Sequence, residues 1–202
     1  MELNRKKLNE LKACSAAMDV YNKRPETDPV VIINLLIDGC DELDDKSERT
    51  RFEWANWLIV RLLSRKDAVR YAVFASEQVI EIFEKIYPED KRPRQAIDTT
   101  KAWLEDDTVE TRNAASAAAA SAAAAYAASA ADAAYAAYAA YAVASAAAAV
   151  ADATADAAAD AAADATAYAT AVAYGTADAE MRIRILRYGV QLSQLLQDRE
   201  VG

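Results

Sequence analysis

Four aspartates, Asp152, Asp156, Asp160 and Asp164, step by four residues through an alanine-rich stretch. At helical pitch each step advances about 40° around the axis and about 6 Å along it, so the carboxylates share one face. Two readings fit. They form a solvated stripe that keeps an alanine helix soluble, or an acidic array for a basic partner, spaced like successive phosphates of a nucleic acid. Like charges at this spacing cost a helix a few tenths of a kcal/mol per pair. Nearby, Tyr135, Tyr138 and Tyr141 step by three and form a slanted ridge. Such rings cover the seam between closely packed helices with their hydroxyls in water, or they anchor a partner-binding face, since tyrosine is favoured in interfaces.

Other chemistry is scarce. The 202 residues include no histidine, which removes the commonest general base and metal ligand. There is no CxxC pair, and four glycines leave no room for a phosphate loop or nucleotide fingerprint. Aspartates on a single helix cannot surround a cation, so the stripe is a poor metal site. Neighbouring acids such as Glu77 and Glu81 are explained by a charged helix surface. We therefore expect no enzyme, no cofactor and no metal. A net charge of -9 argues against direct binding to nucleic acid or to an anionic membrane. Residues 113–181 contain acids and no Lys or Arg, so one pole should be acidic and suited to a basic protein.

Cys14 and Cys40 sit within apolar helical patterns and read as buried thiols. The charged, amphipathic start MELNRKKLNELK is no secretion signal. The alanine tract is long enough to cross a bilayer, but each aspartate near the middle would cost ~2.5–3.5 kcal/mol. A soluble, cytoplasmic protein is expected.

The elements that must carry these residues are all helical. Leu3, Leu8, Leu11, Cys14, Met18 and Tyr21 predict a first helix over about 2–22, ended by Lys23-Arg24-Pro25. Asp28 before Pro29 reads as an N-cap with proline at the first helical position, opening an apolar helix over 30–43. Ser47 should cap a third helix bearing Phe52, Trp54, Trp57 and Leu58. Ser64-Arg65-Lys66-Asp67 has the form of a capping box ahead of a helix reaching Ile86. Pro88 stops that helix, and Asp90 or Arg92 starts the next, with Ile97 and Trp103 inward. Arg70, Glu77, Arg92 and Arg94 stand out as polar residues in this region. They form an ion-pair and hydrogen-bond cluster orienting the fourth and fifth helices, or a contact surface.

Residues 113–174 are mostly alanine, without Lys, Arg, Gly or Pro. Alanine is the best helix former because it loses no rotamer freedom. A single helix of this length would span about 90 Å, too long for a domain of this size. Breaks are expected near 129–132 and 150–152, where Ser or Asp can cap. Gly175 as the C′ residue and Thr176 as a cap should separate the tract from a last helix over 177–197. That helix should bury Met181, Ile183, Ile185, Leu186, Val190, Leu192, Leu195 and Leu196. The expectation is an all-α fold: a compact bundle or array of about eight helices in one domain, 1–202. Its mixed-composition half is 1–112, and 113–202 is built from closely packed alanine-rich helices.

Arg70-Tyr71-Ala72-Val73-Phe74-Ala75-Ser76-Glu77-Gln78-Val79, then 83–98 with Tyr87-Pro88-Glu89-Asp90-Lys91-Arg92-Pro93-Arg94, then Ala102-Trp103-Leu104, resemble a family of bacterial immunity proteins. That family carries the immunity-five-like domain and is common in prophages and phages. Ala13-Cys14, Ala16-Ala17, Trp54 and Trp57-Leu58 are similar to its N-terminal half. The alanine–tyrosine–aspartate tract and Ile185-Leu186-Arg187-Tyr188-Gly189 are similar to its phage-type members. Some members carry a Gly- and His-containing motif that this chain lacks, so a role tied to that motif does not transfer. The resemblance implies a non-enzymatic inhibitor that neutralises a toxin or effector by occlusion, and it implies no catalytic residues. Two alternatives remain open. One is a phage-encoded anti-defence factor whose acidic face mimics nucleic acid. The other is a structural protein that packs Ala/Tyr faces on copies of itself.

Overall fold

The computed structural model describes residues 3–43, 46–129, 134–151, 155–175 and 178–201. These form ten α-helices, one 3-10 turn at Asp41–Leu43, and no strand. The helices are α1 (Arg5–Glu10), α2 (Ser15–Lys23), α3 (Pro29–Asp38), α4 (Glu48–Leu62), α5 (Arg65–Ile86), α6 (Arg92–Glu105), α7 (Val109–Ser129), α8 (Ala134–Ala151), α9 (Ala155–Gly175) and α10 (Ala179–Val201).

The count exceeds eight partly because the first expected helix is two. α1 closes in a Schellman motif: the Ala13 N–H donates to Leu8 O (2.9 Å) and the Lys12 N–H to Asn9 O (3.0 Å). Lys12 takes the left-handed conformation there, φ 61°. A glycine usually occupies this position, and without one the sequence carries no stop signal. The break places Cys14 at the N-cap of α2, where it is exposed, while Cys40 is half-buried. The expectation that both thiols are buried does not hold.

Capping explains most other boundaries. Asp28 Oδ1 accepts from the Val30 N–H (2.8 Å) and Ser47 Oγ from the Thr50 N–H (3.1 Å), as expected. Ser64 Oγ accepts from the Asp67 N–H (3.2 Å), and its own hydroxyl donates to Asp67 Oδ2 (2.6 Å). Asp90 Oδ1 accepts from the Arg92 N–H (3.1 Å), so it acts one residue ahead of the N-cap, Lys91. α3 stops at Asp38, short of 43. Gly39 turns the chain at φ 88°, and Arg51 donates to Leu36 O (2.9 Å) and Ile37 O (3.3 Å), carbonyls left without helical partners. At the other end of the chain, Asp178 Oδ1 caps α10 through the Met181 N–H (2.8 Å). The expected cap, Thr176, lies outside the described residues. Gly175 is not left-handed; its role is a close approach described below.

α8 holds the arrangement together. It packs against α5, α6, α7 and α9, and its residues are buried on nearly every side, from Ala136 and Ala137 through Ala149 and Val150. A helix with four neighbours leaves little room for large side chains on its packed faces. Alanine lets backbones approach to the short end of the ~8–10 Å interaxial range. The bulky apolar residues come from the neighbours: Phe83, Ile80 and Tyr71 of α5, and Ile97 and Trp103 of α6, are essentially inaccessible. Near the end of α8, the Arg65 guanidinium donates to the Val150 carbonyl and lies 5.6 Å from the Trp103 ring centre. A cation there complements the negative end of the helix dipole.

α10 packs on α3, α4, α5 and α9. Its buried face is Arg182, Ile185, Leu186, Val190 and Ser193, a helical stripe, whereas Ile183 and Leu195 are exposed. Those two were expected to be buried; they fall off the stripe by one helical position or more. The side chain of Leu196 lies outside the described residues. Among the described residues no helix is long and apolar enough to cross a membrane.

Candidate partner-binding face

The exposed edge of α8 is tyrosine. Tyr135 is 45% and Tyr138 36% exposed, while Tyr141 is half-buried. A step of three falls about 60° short of a full turn, so the three rings slant across the helix. They carry contact to both flanking helices. Tyr141 stands edge-on to Tyr126 of α7 with centroids 5.0 Å apart, and it meets Tyr168 of α9 at 4.3 Å. Tyr138 lies 5.6 Å from the same Tyr168 ring. This four-ring chain ties α7, α8 and α9, each pair contributing about 0.5–1.5 kcal/mol beyond its buried area. Burial, then the neighbouring phenols and Asp164, raise the Tyr168 hydroxyl above its ordinary pKa.

Tyr135 continues the line past the end of α9. Its ring lies against Gly175 so closely that any β-carbon would collide with it. Beside it a cleft of about 610 Å³ opens between α4, α8 and α9, walled by Arg49, Glu53, Tyr135, Tyr138, Tyr168 and Tyr174. Its inner end is held by Arg182, which is nearly buried. Arg182 sits 4.3 Å from the Tyr174 ring centre and donates to Glu48 Oε1 (3.0 Å) and Ala173 O (3.3 Å). Arg49 approaches the same ring from outside at 6.0 Å and pairs with Glu53 at 3.1 Å. Burial, and secondarily the Glu48 charge, raise the Tyr174 hydroxyl.

α9 is fixed to α4 by a buried polar bond. Thr166 Oγ1 donates to Asn56 Oδ1 at 2.5 Å, and Asn56 Nδ2 donates to Ala163 O at 3.2 Å. This contact orients the aspartate face. Asp152 and the side chain of Asp156 lie outside the described residues. Asp160 is exposed but engaged: Arg61 of α4 donates to its Oδ1 at 2.9 Å while the guanidinium lies 4.7 Å from the Trp57 ring centre. A stripe that reads as lacking basic partners along its own helix therefore finds one across the fold. Asp164 is exposed, and its carboxyl is raised by partial burial and then by the Asp160 charge.

Arg70, Glu77, Arg92 and Arg94 do not converge on one cluster. Arg70 pairs with Asp67 within α5, and Arg92 with Asp90 just before α6 (2.6 Å). Glu77 pairs with Lys101, and Arg94 grips both oxygens of Glu84 (2.9 and 2.6 Å). The last two pairs bridge α5 and α6. Arg94 holds the Glu84 carboxyl below its usual range, and Arg92 does the same for Asp90.

Sequence reasoning missed Asn56, Thr166, Arg61, Arg49, Arg182 and Gly175 as parts of this region. Asn56 carried a signal, a polar residue between apolar neighbours on the inward face of α4. Arg182 had none, because its acidic partner Glu48 lies 134 residues away in the chain and Tyr174 and Ala173 belong to the preceding helix. The region brings together aromatic edges, the three arginines Arg49, Arg61 and Arg182, and several carboxylates. Among the described residues no group of His, Cys, Asp or Glu is placed to hold a metal ion.

No curated protein and no solved structure matches the chain. Residues 59–150 match the family model described as Imm-5 like putative immunity protein. The matched segment runs from the end of α4 through α5, α6 and α7 to the end of α8, the helices that enclose the alanine core and carry the tyrosine ridge.

Proposed function

We propose that the protein is a non-enzymatic, immunity-type inhibitor that neutralises a bacterial toxin or effector by covering it. The exposed tyrosine edge of α8 supports this reading most directly. Tyr135 and Tyr138 are large, two-torsion side chains left in solvent on an otherwise buried helix, beside a cleft deep enough to receive a partner's side chain. Such residues make interface anchors because they offer wide contact area at low entropic cost. The acidic α9 face and the net charge of -9 favour a basic partner and speed its approach.

In this reading Tyr135, Tyr138 and Tyr141 make the contact, with Asp152, Asp156, Asp160 and Asp164 steering. The Asp160–Arg61 pair favours steering over phosphate mimicry, because it takes one carboxylate out of a regular array. The test is a binding and growth assay with the toxin or effector whose activity the protein relieves. Tyr135→Ser with Tyr138→Ser should abolish relief while the helix content holds and the melting temperature falls only by the lost Tyr138–Tyr168 contact. Relief that survives this double change while all four aspartates are intact, and vanishes when they become asparagines, would reverse the roles given to the two faces.

A further inference from the structure

A second cavity borders α4 next to the tyrosine-edge cleft, with Glu53 lining both. It encloses about 390 Å³ between α1, α2, α3 and α4. Ala17 and Tyr21 of α2, Ile32 and Leu35 of α3, and Trp54 and Trp57 of α4 form its walls. Both cysteines, Cys14 and Cys40, also border it. The volume falls in the range of about 300–1,000 Å³ of small-molecule sites, which are likewise mostly apolar with few polar groups. It equals about a dozen waters at ~30 Å³ each, space for a chain of about ten carbons.

The charges at its mouth are asymmetric in availability. Glu26 Oε1 is already engaged by the N–H groups of Thr27 (2.7 Å) and Asp28 (3.0 Å), and Glu53 is paired with Arg49. Lys12 and Arg24 also line the cavity, and among the described residues the Lys12 ammonium enters no ion pair. Its backbone is held in the left-handed turn that closes α1, so the side chain projects from a fixed point beside the opening. α2, which covers the cavity, buries only Met18 among its own residues and is bounded by irregular segments on both sides.

We propose that this cavity binds a small amphiphilic anion, a single acyl chain with a carboxylate head. The chain lies against Trp54 and Trp57, and the head meets the Lys12 ammonium. The ligand contacts Lys12, Trp54 and Trp57 lie outside the tyrosine-edge cleft, so the site stands or falls independently of the immunity reading.

The probe is a series of straight-chain carboxylates from hexanoate to hexadecanoate, titrated against the full chain. Two readouts serve: tryptophan fluorescence, and protection of Cys14 from alkylation by iodoacetamide. Affinity should rise about fourfold per added methylene, the gain from burying one CH2 group, and then level off near ten carbons when the cavity is full. Lys12→Gln should weaken decanoate about tenfold and leave decanol unchanged, since only the charged head uses the ammonium. Ala17→Trp should fill the space and remove binding, with Val20→Phe as a second filling variant should the first unfold. Affinity that climbs unchecked to hexadecanoate, decanol binding as well as decanoate, or a folded filling variant that binds like the parent would each overturn the proposal.

Discussion

Gly175 lies directly under the Tyr135 ring: a β-carbon on the glycine would meet Tyr135 Cε1 at 1.9 Å. The atoms in the way are the far end of an exposed side chain, so the ring can swing aside. Gly175→Ala also gains helix propensity of up to about 1 kcal/mol. The expected outcome is a melting temperature near or above that of the parent, with Tyr135 displaced and partner binding reduced. Thermal melts and a binding titration on the same sample check it.

Gly189 makes the opposite case. A β-carbon there would lie 2.7 Å from Ile59 Cγ2 and 3.0 Å from Tyr71 Cε2, both fully buried. Neither can move without disturbing the α4–α5–α10 contact. Gly189→Ala should destabilise by about 1–3 kcal/mol, the usual cost of overpacking, despite the same propensity gain. Urea unfolding measures it, and the contrast in sign with Gly175→Ala is the informative part.

The buried bond between Thr166 and Asn56 should matter more than its single hydrogen bond suggests. Thr166→Val keeps the shape but leaves the Asn56 carbonyl unsatisfied, at a cost of about 1–3 kcal/mol. Asn56→Leu alone also removes the bond to Ala163 O. The double variant should recover part of the loss, because no partner is then left stranded, and a double-mutant cycle by urea unfolding reads the coupling.

Acid should act on two sets of carboxylates with opposite sign. Arg94 lowers the folded-state pKa of Glu84, so the pair adds stability above the unfolded carboxylate value of about 4.3 and loses it as pH falls through the lowered one. Glu84→Gln should therefore cost about 0.5–1 kcal/mol at neutral pH and little well below pH 3. Asp164 is raised, so its contribution is present at low pH and lost as pH rises through its folded pKa. Asp164→Asn should stabilise at neutral pH and be silent in acid. Urea midpoints at two pH values test both.

The helical architecture was readable because its signals are local. Asp28, Ser47, Ser64 and Pro93 sit where capping and proline geometry require, and the structure ends or starts helices there. The split between α1 and α2 was not readable, since a lysine holds a left-handed position that sequence patterns assign to glycine. Nor could the sequence show that α8 would be surrounded. Alanine is compatible with either a buried or an exposed helix, and only the packing of α5, α6, α7 and α9 around it decides. The tyrosine ridge was visible by its spacing. Tyr126 and Tyr168 were visible as further large side chains of the tract, but that their rings meet the ridge was not, because adjacency across helices depends on relative rotation.

Recovery of a partner decides the account most directly. The tagged protein and its Tyr135→Ser/Tyr138→Ser variant, matched in helix content and both folded at the assay temperature, would be used to capture proteins from a bacterial lysate and read by mass spectrometry. The account predicts one basic protein recovered in near-stoichiometric amount by the parent, absent with the variant, and inhibited when the parent is added back to it. A partner retained equally by both forms, or self-association alone with no other protein enriched, would contradict it.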